Sequence, residues 1–290
     1  MSTRLPAVTV VGSINLDIIA TTDRLPTAGE TIGSGVLQQQ PGGKGANQAV
    51  AAARLGGSTR MVGAVGSDAQ GRLMVDSLSG AGVDTTDVAV LDGGATGTAL
   101  IVVDHDGENQ IVVCPGAISG FSLEGVEFSA EETVLCQLEV GLPVVLEAAR
   151  RSVGFFVLNA APAMDLPAEL LERCDLVIVN ESEYRLIPAL ADAKLVAVTY
   201  GKEGSAMLAH GRKVAEAPAS SVTVANTIGA GDAFCAALVL AIRAGLDYAT
   251  ALAVANAVGA DAVGDPSSQP ALAPLEEYVA RVTGVGIAYQ

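Results

Sequence analysis

The chain has 290 residues, of which half are hydrophobic, and its net charge is −16. So negative a charge argues against nucleic acid or an anionic membrane surface as a partner, and no apolar run is long enough to cross a bilayer. The four cysteines are scattered without a C-x-x-C pair and no signal-peptide pattern is evident, which favours reduced thiols in a cytoplasmic protein.

Strand-type and helix-type segments alternate along most of the chain. This alternation predicts a single α/β domain over residues 1–290, built on a mostly parallel sheet with helices on both faces. The predicted strands are Ala7–Val11, Met61–Val65, Val88–Leu91, Thr133–Leu138, Phe155–Asn159, Leu176–Val179 and Leu195–Thr199, and the predicted helices are Gln48–Leu55, Gly71–Gly80, Pro143–Ser152, Leu166–Arg173 and Ala233–Ala244.

A polar pair follows the first predicted strand. Asn15 and Asp17 are two residues apart, so on an extended segment their side chains lie on the same side. An amide and a carboxylate together suit the hydroxyls of a polyol. The alternative is that both residues belong to the polar edge of a loop.

Two stretches of the chain do not resemble core. Residues 16–40 and 96–113 are polar or alternating in β-type spacing, and Asp106-Gly107 is a local signal for a hairpin turn. We expect these two excursions to form a small separate sheet.

A glycine-rich run, Gly42-Gly43-Lys44-Gly45-Ala46-Asn47, precedes the predicted helix at Gln48. Adjacent glycines allow a ligand to approach the backbone closely, and the start of a helix leaves N–H groups free. Asn47 can reach back towards the same ligand. A phosphate-binding loop is the alternative, but the G-x-x-x-x-G-K-[ST] pattern is absent.

Polar residues stand at the ends of three predicted strands. Glu139, Asn180 and Thr199 each follow or close an apolar run. Ligands in parallel α/β sheets bind beyond the carboxyl ends of the strands. We therefore expect these three residues to belong to one site.

The segment from Thr223 to Phe234 carries the strongest chemical signal. The backbone N–H groups of Gly229, Ala230 and Gly231 can point at one place, and the helix that follows adds the positive end of its dipole. Asp232 then stands beside a predicted anion site, where it could accept a proton from a hydroxyl that attacks phosphorus. The alternative is a glycine turn in which Asp232 only starts the helix.

These motifs, in this order from Val8 to about Val279, resemble the ribokinase-like (PfkB) carbohydrate kinase family, and within it most closely the ribokinases. The resemblance implies a three-layer α/β sandwich with a small β-sheet lid. It also implies ATP-dependent phosphorylation of the primary hydroxyl of a small sugar, with D-ribose the best match and D-ribose 5-phosphate the product. Another sugar, nucleoside or keto-sugar-acid kinase of this fold, or a non-catalytic sugar or nucleotide sensor, remains the alternative.

The resemblance also implies roles for individual residues. Asp232 matches the catalytic base, with the anion hole formed by Gly229, Ala230 and Gly231. The sugar contacts would be Asn15, Asp17, Gly42, Gly43, Lys44, Asn47 and Glu139. The nucleotide positions would be Asn180, Glu183, Thr199, Gly201, Gly204 and Asn256, with Mg²⁺ held near Asn180 and Glu183 through water.

Three further features concern the family pattern. The family holds a monovalent cation such as K⁺ beside the segment that matches Gly229, Ala230 and Gly231, which we call the anion loop. The matching cation residues here are Asn226, Ile228, Val263, Pro266 and Ser268. Asn226 replaces the usual Asp and the C-terminal loop matches poorly, so we expect weak K⁺ activation.

The segment between Asn180 and Thr199 is short and predicts thin cover of one sheet face. Family lids often pair, which implies a homodimer.

Overall fold

The computed structural model describes residues 5–106, 108–220 and 228–284. In chain order its elements are β1 Val8–Val11, β2 Asn15–Thr21, β3 Val36–Gly42, α1 Lys44–Arg54, β4 Thr59–Gly66, α2 Ala69–Gly80, β5 Asp84–Leu91, β6 Gly97–Val103, β7 Asn109–Cys114, β8 Thr133–Gln137, α3 Leu142–Arg151, β9 Phe155–Asn159, α4 Ala168–Arg173, β10 Leu176–Asn180, α5 Glu181–Leu186, β11 Val196–Thr199, β12 Ser205–Ala209, β13 Arg212–Ala217, α6 Ala230–Arg243, α7 Tyr248–Val263 and α8 Leu275–Thr283.

The central sheet contains nine strands within the described residues, in the order β13-β12-β11-β10-β9-β8-β1-β4-β5. Neighbours from β11 to β5 pair in parallel, and β12 and β13 add an antiparallel edge. Its inner strands are apolar on both faces because each face is covered. The predicted parallel sheet is therefore confirmed, and its carboxyl edge collects the ends of β1, β8, β9, β10 and β11.

Two separate apolar clusters cover the faces of this sheet. Val10 of β1 and Leu135 of β8 pack with α1, α2, α6, α7 and α8 on one side. Their chain neighbours Val11 and Cys136 pack with α3, α4 and the segment around α5 on the other. Alternate strand residues point to opposite faces, so the two clusters make the predicted three-layer sandwich.

A second sheet lies apart from the first. Within the described residues it has four strands in the order β3-β2-β6-β7, with β2 and β6 parallel and the outer pairs antiparallel. The two chain excursions predicted from residues 16–40 and 96–113 supply these strands. In the predicted hairpin, the Asp104 carboxylate accepts from the N–H groups of Asp106 and Glu108, while Gly107 lies outside the described residues.

Several predicted boundaries were wrong by a few residues. Helix α1 begins at Lys44 rather than Gln48, because Asn47 N–H already bonds to Gly43 O and Ala46 N–H bonds to Ser13 O across the fold. Strand β8 ends at Gln137, and Glu139 lies in a short 3-10 turn. Such contacts between distant segments are not visible in local periodicity.

The short connection between β10 and β11 still covers its sheet face. It consists of α5 and a 3-10 turn, Pro188–Asp192. Ile187 and Leu190 are buried in the cluster that contains Val177 and Val198. The apolar side chains of Ile187 and Leu190 therefore cover this sheet face, as the side chains of a longer helix would. Over the described part of the chain, no helix is long and apolar enough to span a membrane.

Candidate active site

Two cavities meet at the start of α6. The first has a volume of about 400 Å³ and lies between the carboxyl edge of the central sheet and the small sheet. The second, of about 590 Å³, lies between the loop after β11 and helices α6 and α7. Gly231 lines both cavities. A group bound in one can therefore meet a group bound in the other at this glycine.

The first cavity gathers residues from opposite ends of the chain. Most of the predicted sugar contacts line it, together with Asp232, Gly229 and both predicted Mg²⁺ residues. Its roof is the apolar inner face of the small sheet, with Ala99 and Ile101 of β6 and Ile111 and Val113 of β7. The predicted lining residues are Asn15, Asp17, Gly43, Lys44, Asn47, Glu139, Asn180, Glu183, Gly229, Gly231 and Asp232.

Gly42 stands beside this cavity rather than in its lining. It is buried at the end of β3 and pairs with Asn15 of β2. A Cβ built on Gly42 would collide with the Asp17 carboxylate. Glycine at this position therefore leaves room for the Asp17 carboxylate where it lies, and a larger residue would require Asp17 to shift.

Gly229 of the anion loop has a backbone conformation that favours glycine. Gly229 is the N-cap of α6 with φ 80° and ψ −12°, in the left-handed region, where glycine carries no steric penalty. A Cβ at this position would collide with the carbonyl oxygen of Ser268. Ala230 lines the second cavity. The first turn of α6, whose N–H groups have no partner within the helix, thus begins between the two cavities.

The Asp232 carboxylate is buried and bonds across to α1. Its Oδ2 accepts from Asn47 Nδ2 at 3.1 Å and its Oδ1 accepts from Gln48 Nε2 at 2.9 Å. Its side chain therefore faces another helix and the first cavity, instead of capping α6. Burial raises the pKa of Asp232. The Lys44 ammonium and the two amide donors oppose this increase because they favour the charged carboxylate.

The carboxyls of the first cavity affect each other. Burial raises the pKa of Asp17 to about 7, and the carboxylates of Glu139 and Asp232 add to this increase. For the Lys44 ammonium, burial alone would lower the pKa. The carboxylates around it, Asp232 first, instead hold the pKa above its ordinary value. The site thus keeps Lys44 charged as the counter-ion of its carboxylates.

Glu139 is tied to the first strand and to α1. Its Oε2 accepts from the Ser13 hydroxyl and, at 3.1 Å, from the Lys44 backbone N–H. Ser13 follows β1 and Lys44 begins α1, so one carboxylate joins three elements. These bonds orient Glu139 at the wall of the cavity.

Asn180 and Glu183 form a capping box at the start of α5. Asn180 Oδ1 accepts from Glu183 N–H at 2.8 Å, and Glu183 Oε2 accepts from Asn180 N–H at 2.8 Å. This is a well-known device for starting a helix. It holds both side chains at the wall of the first cavity.

The second cavity contains the remaining predicted nucleotide residues. Thr199 ends β11, and Gly201 and Gly204 lie in the turn that leads to β12; with Asn256 of α7, they line this cavity. The Asn256 amide is already engaged, accepting from Ser205 Oγ and donating to the carbonyls of Ala217 and Pro218. Asn256 therefore shapes the cavity wall by holding strands β12 and β13.

The predicted monovalent-cation residues are only partly brought together. Asn226 lies outside the described residues. Val263 lines the second cavity, and Ile228 lines the first. The loop after α7, which includes Pro266, places the Ser268 carbonyl against Gly229, while the Ser268 hydroxyl donates to Pro41 O at 2.6 Å.

Gln48 is a site residue that sequence reasoning missed. It is completely buried in α1 and links Asp232 to the central sheet through Asn159 of β9. A signal existed: Gln48 lies one turn after Lys44, hence on the same helix face, in an otherwise alanine-rich stretch. A buried glutamine requires partners, but the sequence alone does not say which.

This chain is similar in sequence to known sugar kinases. The model of the pfkB family carbohydrate kinases matches residues 6–274. The chain is 37% identical to the ribokinase of Bacillus subtilis (strain 168) over 264 residues, 85% of this chain and 89% of the relative. It is 31% identical to the deoxyribokinase of Salmonella typhi over 301 residues, 94% and 98% of the two chains.

Solved structures give the same result. A ribokinase from Thermotoga maritima superposes with a TM-score of 0.85 at 28% identity, covering 97% of this chain and 100% of the other. Arabidopsis thaliana ribokinase complexed with ribose and ATP gives 0.81 at 29% identity, covering 97% and 99%. Both chains share the ribokinase fold described above. The chain therefore belongs to the pfkB family of carbohydrate kinases.

Proposed function

We propose that this protein is a ribokinase, which transfers the γ-phosphoryl group of ATP to the 5-hydroxyl of D-ribose. The observation that carries the proposal is the position of Asp232 and the anion loop at the junction of the two cavities. The Arabidopsis relative was solved with ribose and ATP together, which supports a sugar in the first cavity and a nucleotide in the second.

The first cavity suits a small polyol. Carboxylates and amides from β2, α1 and the turn after β8 offer acceptors and donors on its floor, and the small sheet supplies an apolar roof. Buried polar groups of this kind select a ligand whose hydroxyls satisfy them. We assign the sugar contacts to Asn15, Asp17, Gly42, Gly43, Lys44, Asn47 and Glu139.

The proposed reaction joins the groups bound in the two cavities. Asp232 accepts the proton of the sugar 5-hydroxyl. The oxygen of that hydroxyl forms a bond to the γ-phosphorus, and the bond from that phosphorus to the bridging oxygen of ADP breaks. The N–H groups of Gly229, Ala230 and Gly231 stabilise the charge on the phosphoryl oxygens. Thr199, Gly201, Gly204 and Asn256 shape the nucleotide cavity. Positioning and electrostatics supply most of the rate.

A divalent cation fits beside Asn180 and Glu183 only through its water ligands. Both side chains are already committed to the capping box by one oxygen, and over the described residues no cluster of three metal-binding side chains occurs. Mg²⁺ retains several waters and needs one or two protein oxygens when phosphates complete its shell. When bound, Mg²⁺ would neutralise phosphate charge during transfer.

The test of this function is a substrate panel with ATP and Mg²⁺, followed by release of ADP. The panel contains D-ribose, 2-deoxy-D-ribose, D-fructose, inosine and a keto-sugar acid. We expect D-ribose to have the highest kcat/KM. A much higher value for 2-deoxy-D-ribose is the competing result, since a deoxyribokinase is among the relatives. No turnover with any sugar, despite binding, would favour a sensor.

Replacement of Glu139 by alanine is expected to weaken sugar binding. A sugar hydroxyl would lose a charged acceptor, and such hydrogen bonds contribute roughly 1.5–3 kcal/mol. Calorimetric titration of D-ribose measures the effect. Glu169→Ala is the matched control, because Glu169 is exposed and pairs with Arg150 far from the cavities. Equal affinity in the Glu139 and Glu169 variants would remove Glu139 from the sugar site.

We expect weak activation by K⁺. The Ser268 carbonyl reaches the anion loop, so part of the cation site that the family implies is available, but Asn226 lacks the formal charge of the Asp that the family has there. Fewer ligand charges lower the affinity for a hard cation. The rate is measured at fixed ionic strength as K⁺ replaces a bulky organic cation. The wild type should respond shallowly and Asn226→Asp steeply; strong wild-type activation at low millimolar K⁺ contradicts the argument.

The small sheet supports a homodimer. Its outer face exposes Leu100 and Val112, with 45% and 60% of their surfaces accessible, and β7 forms an edge whose backbone groups can pair with another strand. We propose that two copies associate through these lids. Sedimentation velocity at micromolar concentration distinguishes a dimer from a monomer.

A cytoplasmic location remains a prediction from the cysteine pattern.

A further inference from the structure

A chain of buried amides connects the central sheet to Asp232. Asn159 Nδ2 donates to the backbone oxygen of Ile178 at 3.1 Å, and Asn159 Oδ1 accepts from Gln48 Nε2 at 3.0 Å. The same Gln48 nitrogen donates to Asp232 Oδ1 at 2.9 Å, and Gln48 Oε1 accepts from Gln137 Nε2 at 2.6 Å. Both Gln48 and Gln137 are completely buried.

The backbone oxygen of Ile178 sets the direction of every bond in this chain. A carbonyl oxygen only accepts, so Asn159 must turn its nitrogen towards Ile178 and its oxygen towards Gln48. Gln48 must then present its nitrogen to Asn159, and the same nitrogen faces Asp232. The amide of Gln48 is therefore a permanent donor to the carboxylate.

Asn47 orients the other oxygen of the same carboxylate. Its nitrogen donates to Asp232 Oδ2, and its oxygen accepts from Gln269 Nε2 at 3.3 Å. Each Asp232 oxygen thus has one fixed donor and retains lone-pair capacity for a substrate proton. Two neighbouring residues of α1, Asn47 and Gln48, thus hold the plane of the Asp232 carboxylate through its two oxygens.

We propose that Gln48 is a positioning residue, which holds the Asp232 carboxylate in orientation and in its ionised form for proton transfer. This inference rests on the proposed role of Asp232 as base. A hydrogen bond to the charged form of an acid favours that form. Gln48 therefore opposes the effect of burial on Asp232 without adding a charge to the site.

The charged and titratable groups around Asp232 come from five parts of the chain. Lys44 lies on α1 and favours the carboxylate, whereas Glu139, from the turn after β8, disfavours it. The Asp232 carboxylate contributes to the raised pKa of Asp17 on β2. The Glu183 carboxylate of α5 raises the pKa of Lys44. On α6 itself, the buried thiol of Cys235 has a pKa well above its ordinary value. A Gln48 variant leaves all these groups in place, so its effect isolates the amide.

Gln48→Met removes the donor while preserving the length of the side chain. Loss of a donor to the carboxylate raises the pKa of Asp232, so the base is protonated up to a higher pH. We expect the acidic limb of the pH profile of kcat, at saturating sugar and ATP, to move upward by about one pH unit. The KM for the sugar should change less than kcat. Saturation matters because Asp17 titrates in the free cavity and affects kcat/KM.

Gln137→Met is the matched control. It removes an amide from the same buried chain, but among the described residues the Gln137 side chain bonds only to the oxygen of Gln48, whose direction Asn159 still sets. Gln48→Met should lose more thermal stability, because the Gln48 amide makes three of the hydrogen bonds in this chain and the Gln137 amide makes one, and only Gln48→Met should shift the acidic limb. Gln48→Glu is the second variant for position 48, since two neighbouring carboxyls resist joint ionisation and should shift the limb upward even further.

A double variant tests whether Gln48 acts through Asp232. In an Asp232→Asn background, Gln48→Met should cost little further turnover, because residues that act as a unit are not additive. All measurements use the best sugar of the substrate panel. An unshifted limb in both Gln48 variants, an equal shift in Gln137→Met, or a full additional loss in the double variant overturns the inference.

The outcomes separate this inference from the proposed function. A wild type that phosphorylates no sugar overturns the function and this inference with it, whereas a fully active Asp232→Asn removes Asp232 as the base and overturns the inference alone. An active wild type, an inactive Asp232→Asn and an unshifted Gln48→Met overturn the inference alone.

Discussion

Asp232→Asn is expected to lower turnover by about a hundredfold or more, the usual range for loss of a general base, while sugar and ATP binding stay nearly intact. Asparagine has the shape of aspartate but cannot accept the proton of the attacking hydroxyl. Steady-state rates with calorimetric titration of both substrates measure the two effects separately.

Asp247→Asn is the control for this experiment. Asp247 also stands at a helix start, where it caps α7 through the N–H groups of Ala249 and Thr250, and asparagine caps equally well. Turnover of this variant should equal that of the wild type. Near-normal turnover of Asp232→Asn would remove Asp232 as the base and leave the anion loop as the main source of rate.

The second large effect is expected for Gly229→Ala. The added methyl group would collide with the Ser268 carbonyl oxygen. The backbone φ of 80° at position 229 is also unfavourable for alanine. The loop must move, which misplaces the N–H groups that face the transferred phosphoryl group. Loss of such a donor lowers kcat by about 10²–10³-fold. Stopped assays of ADP release and calorimetric titration of D-ribose measure turnover and sugar affinity.

Gly245→Ala separates backbone strain from misplacement of the loop. Gly245 follows the other end of α6 with φ of 86°, and a Cβ there meets no atom within 4 Å. This variant carries the same kind of backbone penalty far from the cavities. It should lose some thermal stability but keep its turnover. If Gly229→Ala loses no more turnover than Gly245→Ala, the left-handed glycine at the anion loop has no role in catalysis.

Much of the site was predictable because its signals are local. The glycines before α1 and α6 and the polar residues that end strands occur in short runs, and the chemistry of each run is legible from residue type. Alternation of strands and helices then places all strand ends at one edge. This rule alone predicted that Glu139, Asn180 and Thr199 belong to one site; the structure divides them between two adjoining cavities, with Glu139 and Asn180 in the first and Thr199 in the second.

The sequence by itself determined the parallel sheet, because periodicity and turn chemistry act over a few residues, and it indicated the family through the resemblance of its motifs and their order. Only the tertiary structure decided what those residues do to each other. Asp17 acquires a pKa of about 7 since burial and two carboxylates distant in sequence, Glu139 and Asp232, converge on it. Gln48 became a donor to Asp232 because a backbone carbonyl in another strand fixes the direction of the amide chain. Local patterns record neither distance in space nor burial, and these two quantities set charge and orientation.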